Sequence, residues 1–397
     1  MNKITSILED YITNEFKNNK DFYKDFFDED LVKGVEDFDK YLKRVDIDSI
    51  DIKWLVDMSN YHYEYAIFKL SQDKNNETLE HLSKSCQYGF LAIDYGSRSC
   101  GCFEDKNPFI VQNKAVFIMS NLLLTNNMDE FLIVANHLID SLNGESCIIK
   151  KGYKQSSISW MILEMVSLYL DKPITLHKLL APELQSSFKE IIENFDTDDL
   201  IEVEKLIYLL CDIHIDIAQQ NYEIHYEEQY GEEPDFQGLK YKELFLVALY
   251  QLPFEVLVWL KLRELKGLQN PDFKNTPKEF IHPLLQTKLS QLYMNLEKVE
   301  LNNELTYAKK LIEKLKKQCP DMDKESVENK SLKQTIQQPK PAPKTGRYQA
   351  TLPKEHPQYE TLKADPNAYR TYKEGEIIDN RGLETYDLKN IEWICIE

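Results

Sequence analysis

Apolar residues recur at spacings of three and four along most of this chain, and that recurrence constrains its fold more than any other feature. Ile4, Leu8 and Tyr11 keep the spacing, and so do Leu31, Val35, Phe38 and Leu42. Trp54, Leu55, Met58, Tyr61, Tyr65 and Phe68 follow, then Leu79, Leu82, Cys86, Phe90 and Ile93. Segments 111–124, 129–142 and 157–170 continue it. Residues three and four apart share one side of an α-helix, so each segment predicts an amphipathic helix. Glycine, at 12 of 397 residues, and proline, at 15, are too scarce for a turn-rich all-β fold. Asn126-Asn127 and Asn143-Gly144 read as short connectors, and Gly96 to Cys102 as a loop. No repeat of fixed period emerges. The expected fold is mainly α: an irregular helical bundle or an α-solenoid-like array of helix hairpins.

The run Asp196-Thr197-Asp198-Asp199 predicts the start of a long helix, with a capping side chain and acids in the first turn. Leu206, Leu210, Ile213 and Ile217 form one stripe on it, and Leu209, Cys211 and Ile215 fill other faces, which predicts a middle buried nearly all round. Gly231 suits its end, so the helix spans roughly 45 Å and its last turns are expected to project. Tyr241 to Leu252 predicts another apolar helix. A further one follows, with Pro253 at its first position, Lys261, Arg263 and Lys266 in its last turns and Gly267 beyond. Leu284 to Val299 and Glu304 to Leu315 complete the helical set. The expected organisation is an acidic helical body over 1–318, a linker rich in Pro, Lys and Gln over 319–345, and a small Tyr-rich module over 346–397. Strand-like alternation marks this module at Tyr348 to Leu352 and Ile391 to Ile396.

The net charge of −19 argues against nucleic-acid binding, which needs clustered Lys and Arg. Between Lys205 and Lys240 there is no basic residue. Tyr222, Tyr226 and Tyr230 stand there at i, i+4, i+8, interleaved with Glu223, Glu227, Glu228, Glu232, Glu233 and Asp235. On a helix the tyrosines share a face. Acid mixed with aromatic on a projecting element suits a basic protein partner and neither nucleic acid nor membrane. A core stripe with a solvated acidic rim accounts for the same pattern. Apolar runs break within about ten residues, too short to span a bilayer, and the N-terminus lacks the features of a secretory signal. Seven scattered cysteines do not make a disulfide framework, so the expected place is the reducing cytoplasm.

Chemistry-bearing motifs are sparse. Cys100-Gly101-Cys102 lacks the second pair that a structural zinc site uses. His214 and His225, eleven residues apart, are too distant to share one ion, and His62, His81 and His137 stand isolated in helical patterns. There is no phosphate-binding loop, nucleophile elbow or paired metal-binding histidine motif. The expectation is a non-enzymatic binding protein with no cofactor and no metal.

The stretch from Leu252 to Leu268, LPFEVLVWLKLRELKGL, is followed by Asn270-Pro271 and then His282-Pro283-Leu284-Leu285. It resembles a helix-to-His-Pro-Leu segment of bacterial immunity proteins from polymorphic toxin systems, often those delivered by type VI secretion. Cys319-Pro320, Thr345-Gly346-Arg347-Tyr348, Gly375-Glu376 and Trp393 resemble a small terminal module of such proteins, although here the linker divides the first two motifs. The resemblance covers about a quarter of the chain. It implies a stoichiometric inhibitor that occludes a cognate secreted toxin. A basic toxin, such as a nuclease, would complement the acidity. Two other classes stay open: a helical scaffold or adaptor recruiting an effector or chaperone, and a hydrolase with dispersed residues.

Overall fold

The computed structural model describes residues 49–99, 110, 112–143, 156–174, 184, 186–230, 244, 246–301, 305–320, 346–351, 357–364, 368–372 and 392–395. The helices expected before residue 49, the Cys100-Gly101-Cys102 segment and the linker beyond residue 320 lie outside them. The chain divides into two compact units, Met1–Cys319 and Pro320–Glu397.

The first unit is built from helices. Helix α1, Ser49–Ser71, and α2, Asn75–Arg98, form a hairpin whose tight turn places Asp73 at φ 58°. Helix α3, Gln112–Leu124, and α4, Met128–Leu142, are joined by a turn with Asn126 at φ 60°. Asn and Asp enter this left-handed region more readily than other residues with a side chain, so the polar connectors fall where the chain must reverse. Helix α5, Ser157–Leu170, starts on Ser156, whose hydroxyl accepts from the Ser159 N–H at 3.1 Å. Then come α6, Ser186–Glu193, and the long α7, Leu200–Tyr230. Helix α8 is Phe254–Leu265, α9 Lys288–Met294 and α10 Thr306–Gln318.

Helix α3 is buried on every side except at Lys114, so it occupies the centre of the core. It packs against α2, α4, α5 and α8. The segment after α9 returns to the first helices. Tyr293 donates to Asn121 Oδ1 at 2.8 Å, Asn126 donates to the Leu296 carbonyl at 2.9 Å, and Ser83 donates to the Glu300 carbonyl at 2.6 Å. The Val299 N–H reaches the Thr125 carbonyl at 3.1 Å. A solenoid repeat touches only its neighbours, so these returns make the unit a bundle.

Three local expectations are corrected. Helix α2 runs on through Gly96 and Ser97 to Arg98 where a loop was expected, because Arg98 pairs with Asp94 one turn back and the Ser99 N–H still bonds the Tyr95 carbonyl. Residues 247–251 form a short 3-10 turn, not an α-helix ending at Leu252. Pro253 forces Leu252 into an extended conformation, and Pro253 is itself the cap of α8. The stretch expected to be one helix from Leu284 to Val299 is a 3-10 turn, Pro283–Gln286, followed by α9. Extended Thr287 breaks it and caps α9, its hydroxyl accepting from the Ser290 N–H at 3.2 Å.

Helices α1 and α2 approach closely at Gly89. A methyl group there would lie 2.8 Å from Ile118 Cγ2 and 2.9 Å from Ser59 Oγ, and Ser59 is held by the Ser85 carbonyl at 2.8 Å. Gly89→Ala gains about 1 kcal/mol of helix propensity but overpacks by roughly 1–3 kcal/mol. The expected result in a urea melt is a net loss near 1 kcal/mol, and a stabilised variant would show that the interface yields freely.

The second unit holds a three-stranded antiparallel sheet in the order β2-β1-β3. Its strands are β1, Gly346–Thr351, β2, Tyr369–Tyr372, and β3, Glu392–Cys395. Tyr348 pairs with Arg370, and Ala350 with Trp393. Helix α11, Tyr359–Ala364, contacts β1. Ala350, Leu362 and Ala368 form a small core with Tyr359 and Tyr369 packed against it.

Candidate functional site

Helix α7 has 31 residues, about 46 Å at 1.5 Å per residue. Its start matches the sequence signal: Asp199 Oδ1 accepts from the N–H groups of Ile201 and Glu202, at 3.0 and 3.3 Å. Its middle is one-sided, which corrects the expectation of burial all round. Val203, Leu206, Ile207, Leu210, Cys211, His214 and Ala218 are buried, whereas Lys205, Asp212, Asp216, Gln219 and Gln220 are exposed. Tyr222, Glu223, Tyr226, Glu227, Glu228 and Tyr230 fall on its last turns, where the backbone alone is described. Glu232, Glu233 and Asp235 lie outside the described residues.

The buried face of α7 is fixed by polar contacts. His214 Nε2 lies 2.9 Å from the Leu249 carbonyl and Nδ1 lies 2.8 Å from Glu255 Oε1, with both side chains out of solvent. A carbonyl only accepts, so Nε2 carries a proton, and Nδ1 and Glu255 share another. Burial pushes the nearby Cys211 thiol up, and the negative charges of Glu255 and Asp212 push it further, so this thiol is inert. His282 Nδ1 accepts from the Leu284 N–H at 3.2 Å, which leaves Nε2–H to face Asp212 Oδ1 of α7 at 3.3 Å.

The residues that carry the family resemblance are placed in the same region. Arg263 is fully buried. Its guanidinium donates to the carbonyls of Phe195 at 3.2 Å, Thr197 at 2.9 Å and Gln269 at 2.8 Å, and to Asn270 Oδ1 at 3.2 Å. Trp259 donates to the Phe195 carbonyl at 3.1 Å. Gly267, at φ 76°, closes α8: its N–H bonds Glu264 at 2.9 Å while the Leu268 N–H bonds Arg263 at 3.0 Å. Glu255 thus ties α8 to the middle of α7 through His214, Trp259 and Arg263 tie it to the α6–α7 junction, Gly267 and Asn270 close its own end, and His282 meets α7 at Asp212.

His62, His81 and His137, isolated in the sequence pattern, meet polar partners in the fold. His62 and His81 bring their Nδ1 atoms to 3.0 Å with rings stacked at 5.2 Å, and Tyr88 stacks on His62 at 5.4 Å. His137 sits between Ser97 Oγ, 3.0 Å from Nδ1, and Asp94 Oδ1, 3.4 Å from Nε2. Burial works to raise the Asp94 carboxyl, but the His137 hydrogen bond and the Arg98 charge outweigh it and hold it low. The order of partners is that of a Ser–His–Asp relay. Ser97, however, lies in the last turn of α2, where the negative end of the helix opposes a developing oxyanion. The hydrogen bonds of His137 link α2 to α4. Among the described residues, no three His, Cys, Asp or Glu side chains are placed to hold a metal ion. His225 is described by its backbone alone.

The signal that sequence reasoning missed is burial of charge within an apolar run. Arg263 and Glu255 lie on the buried face of a helix rich in apolar residues, and such charges demand partners. Comparison with family models, curated proteins and solved structures gives no match to this chain.

Proposed function

We propose that this chain is an immunity-type inhibitor that binds a basic, secreted antibacterial toxin and neutralises it by stoichiometric occlusion. The observation that carries this reading is the construction of α7. One unbroken helix joins a half locked into the bundle by His214 and the Arg263 cluster to an end whose sequence has no Lys or Arg and holds Tyr222, Tyr226 and Tyr230 at helical spacing. A rigid element with acids around aromatic anchors suits steering of a basic protein and then holding it. The resemblance of the α8 region to immunity proteins points the same way. Among the described residues, no helix is long and apolar enough to cross a membrane.

The test uses the protein encoded beside this gene. Co-expression should protect cells in proportion to dose, and full protection by a sub-stoichiometric amount would instead indicate an enzyme. Tyr226→Ala should speed dissociation at a cost of about 2 kcal/mol if Tyr226 is a true anchor. Reversing the charge of Glu227 and Glu228 should mainly slow association and weaken its salt dependence. A large drop in melting temperature with unchanged affinity for Tyr226→Ala would place that tyrosine in the core.

A further inference from the structure

Two of the most exposed large hydrophobic side chains among the described residues are Ile201, 82% exposed, and Phe280, 67% exposed. Tyr208 relates the two: it shares a helix side with Ile201, and its hydroxyl reaches the Phe280 carbonyl. Ile201 opens the outer side of α7, and Tyr208 stands two turns further on that same side, about 10 Å along the axis. The Tyr208 hydroxyl lies 2.7 Å from the Phe280 carbonyl and 3.0 Å from Glu204 Oε1, so the turn bearing Phe280 is tied to the helix at this point. That turn, Lys278–Phe280, is wholly exposed, so Phe280 is presented outward at its end. Apolar side chains displayed in this way gain most when a partner covers them.

The border of the surface is acidic. Glu204, Asp212 and Asp216 lie along the helix, and Glu279 lies beside Phe280. Of the lysines nearby, Lys205 is taken up by Glu202 at 2.8 Å and Glu190 at 3.6 Å, and Lys278 adds one positive charge on the turn. The outer side of α7 then continues through exposed Gln219 to the helical positions of Glu223, Tyr226 and Tyr230.

We propose that the toxin-binding surface extends down the outer side of α7 from its tyrosine end to a second anchor site made by Ile201, Tyr208 and Phe280. The occupant is a basic segment of the partner protein that inserts an apolar side chain between Ile201 and Phe280. This deepens the inhibitor reading and rests on it. Charge selects the occupant: an anionic lipid or nucleic acid is repelled by the carboxylate border, and a second copy of a chain with net charge −19 is repelled as well.

The test is the double variant Ile201→Ser with Phe280→Ser, assayed against the protein encoded by the adjoining gene. Both side chains are exposed, so the melting temperature should stay within a degree or two of wild type. The dissociation constant should rise tenfold or more, chiefly through faster dissociation. Wild-type affinity in the double variant, together with weakened binding of Tyr226→Ala, would overturn the second anchor and leave the inhibitor reading standing. Absence of any binding by the wild-type chain would overturn both. A concentration-dependent dimer abolished by the double variant would assign the surface to self-association and overturn the proposal.

Discussion

Arg263→Ala is expected to remove about 3–5 kcal/mol of stability from the helical body, measured by denaturant melting. The truncation deprives the carbonyls of Phe195, Thr197 and Gln269, together with Asn270 Oδ1, of a charged donor. It also opens a cavity beneath Trp259, whose ring lies 5.8 Å from the guanidinium. Buried acceptors left without donors cost about 1–3 kcal/mol each where water cannot reach them, and the cavity adds its own cost. Arg263→Lys keeps the charge but cannot reproduce a fork that serves four acceptors, so it should recover only part of the loss. Lys261→Ala, two residues away and nearer solvent, should stay within about 0.5 kcal/mol of wild type. An Arg263→Ala protein as stable as wild type would show that this cluster does not hold α8 to the α6–α7 junction.

Acid is expected to weaken the fold well above the pH at which its carboxylates protonate, and the cause is the His62–His81 pair. Burial pushes His81 down to about 4, with Lys84 adding to the shift and Glu80 opposing it. Burial also holds His62 well below its ordinary value, helped by the charges of His81 and Lys84. Both rings are therefore neutral in the folded protein at neutral pH, which their hydrogen bond needs, since one Nδ1 must donate and the other accept. In the unfolded chain each takes up a proton near pH 6.5. The unfolded state then binds more protons than the folded one, so stability is complete above about pH 6.5 and falls as the pH drops toward 4. For His81 alone the loss is on the order of 3 kcal/mol, and His62 increases it. A variant with both histidines replaced by Asn should show a flatter profile across this window. A wild-type stability that is level from pH 7 to 4.5 would refute the assignment.

Which parts of this molecule could be read from sequence follows from the range of the interactions involved. Asp199 at the start of α7 and Gly267 after α8 act on backbone groups a few residues away, so their neighbours in sequence are enough to identify them. The exposed positions of α7 were harder. Leu209, Cys211 and Ile215 look alike in composition, and only the packed bundle shows that Asp212 and Asp216 face outward between buried residues. The polar pairs were out of reach. His62 meets His81 across 19 residues, His214 meets Glu255 across 41, and His137 meets Asp94 across 43. Periodicity assigns a residue to a face but cannot name what packs on that face. Strand β2 was missed for a similar reason: Tyr369-Arg370-Thr371-Tyr372 has little alternation of its own and becomes a strand by pairing with β1. Of the candidate partner-binding residues, the six up to Tyr230 fall on α7, and the meeting of Tyr208 with Phe280 emerged only with the fold.

The return of the segment after α9 to the first helices sets a clock on synthesis. Ser83 waits for Glu300, which is 217 residues later in the chain, and Asn121 waits 172 residues for Tyr293. At about 5–20 residues per second a ribosome needs roughly 10–40 s to supply the later partner. For that interval the side of the nascent hairpins that Tyr293 and Val299 will seal stays open, with Asn121 and the Thr125 carbonyl still bonded to water. Throughout that interval the emerging chain offers a holding chaperone an apolar surface that the finished protein no longer displays.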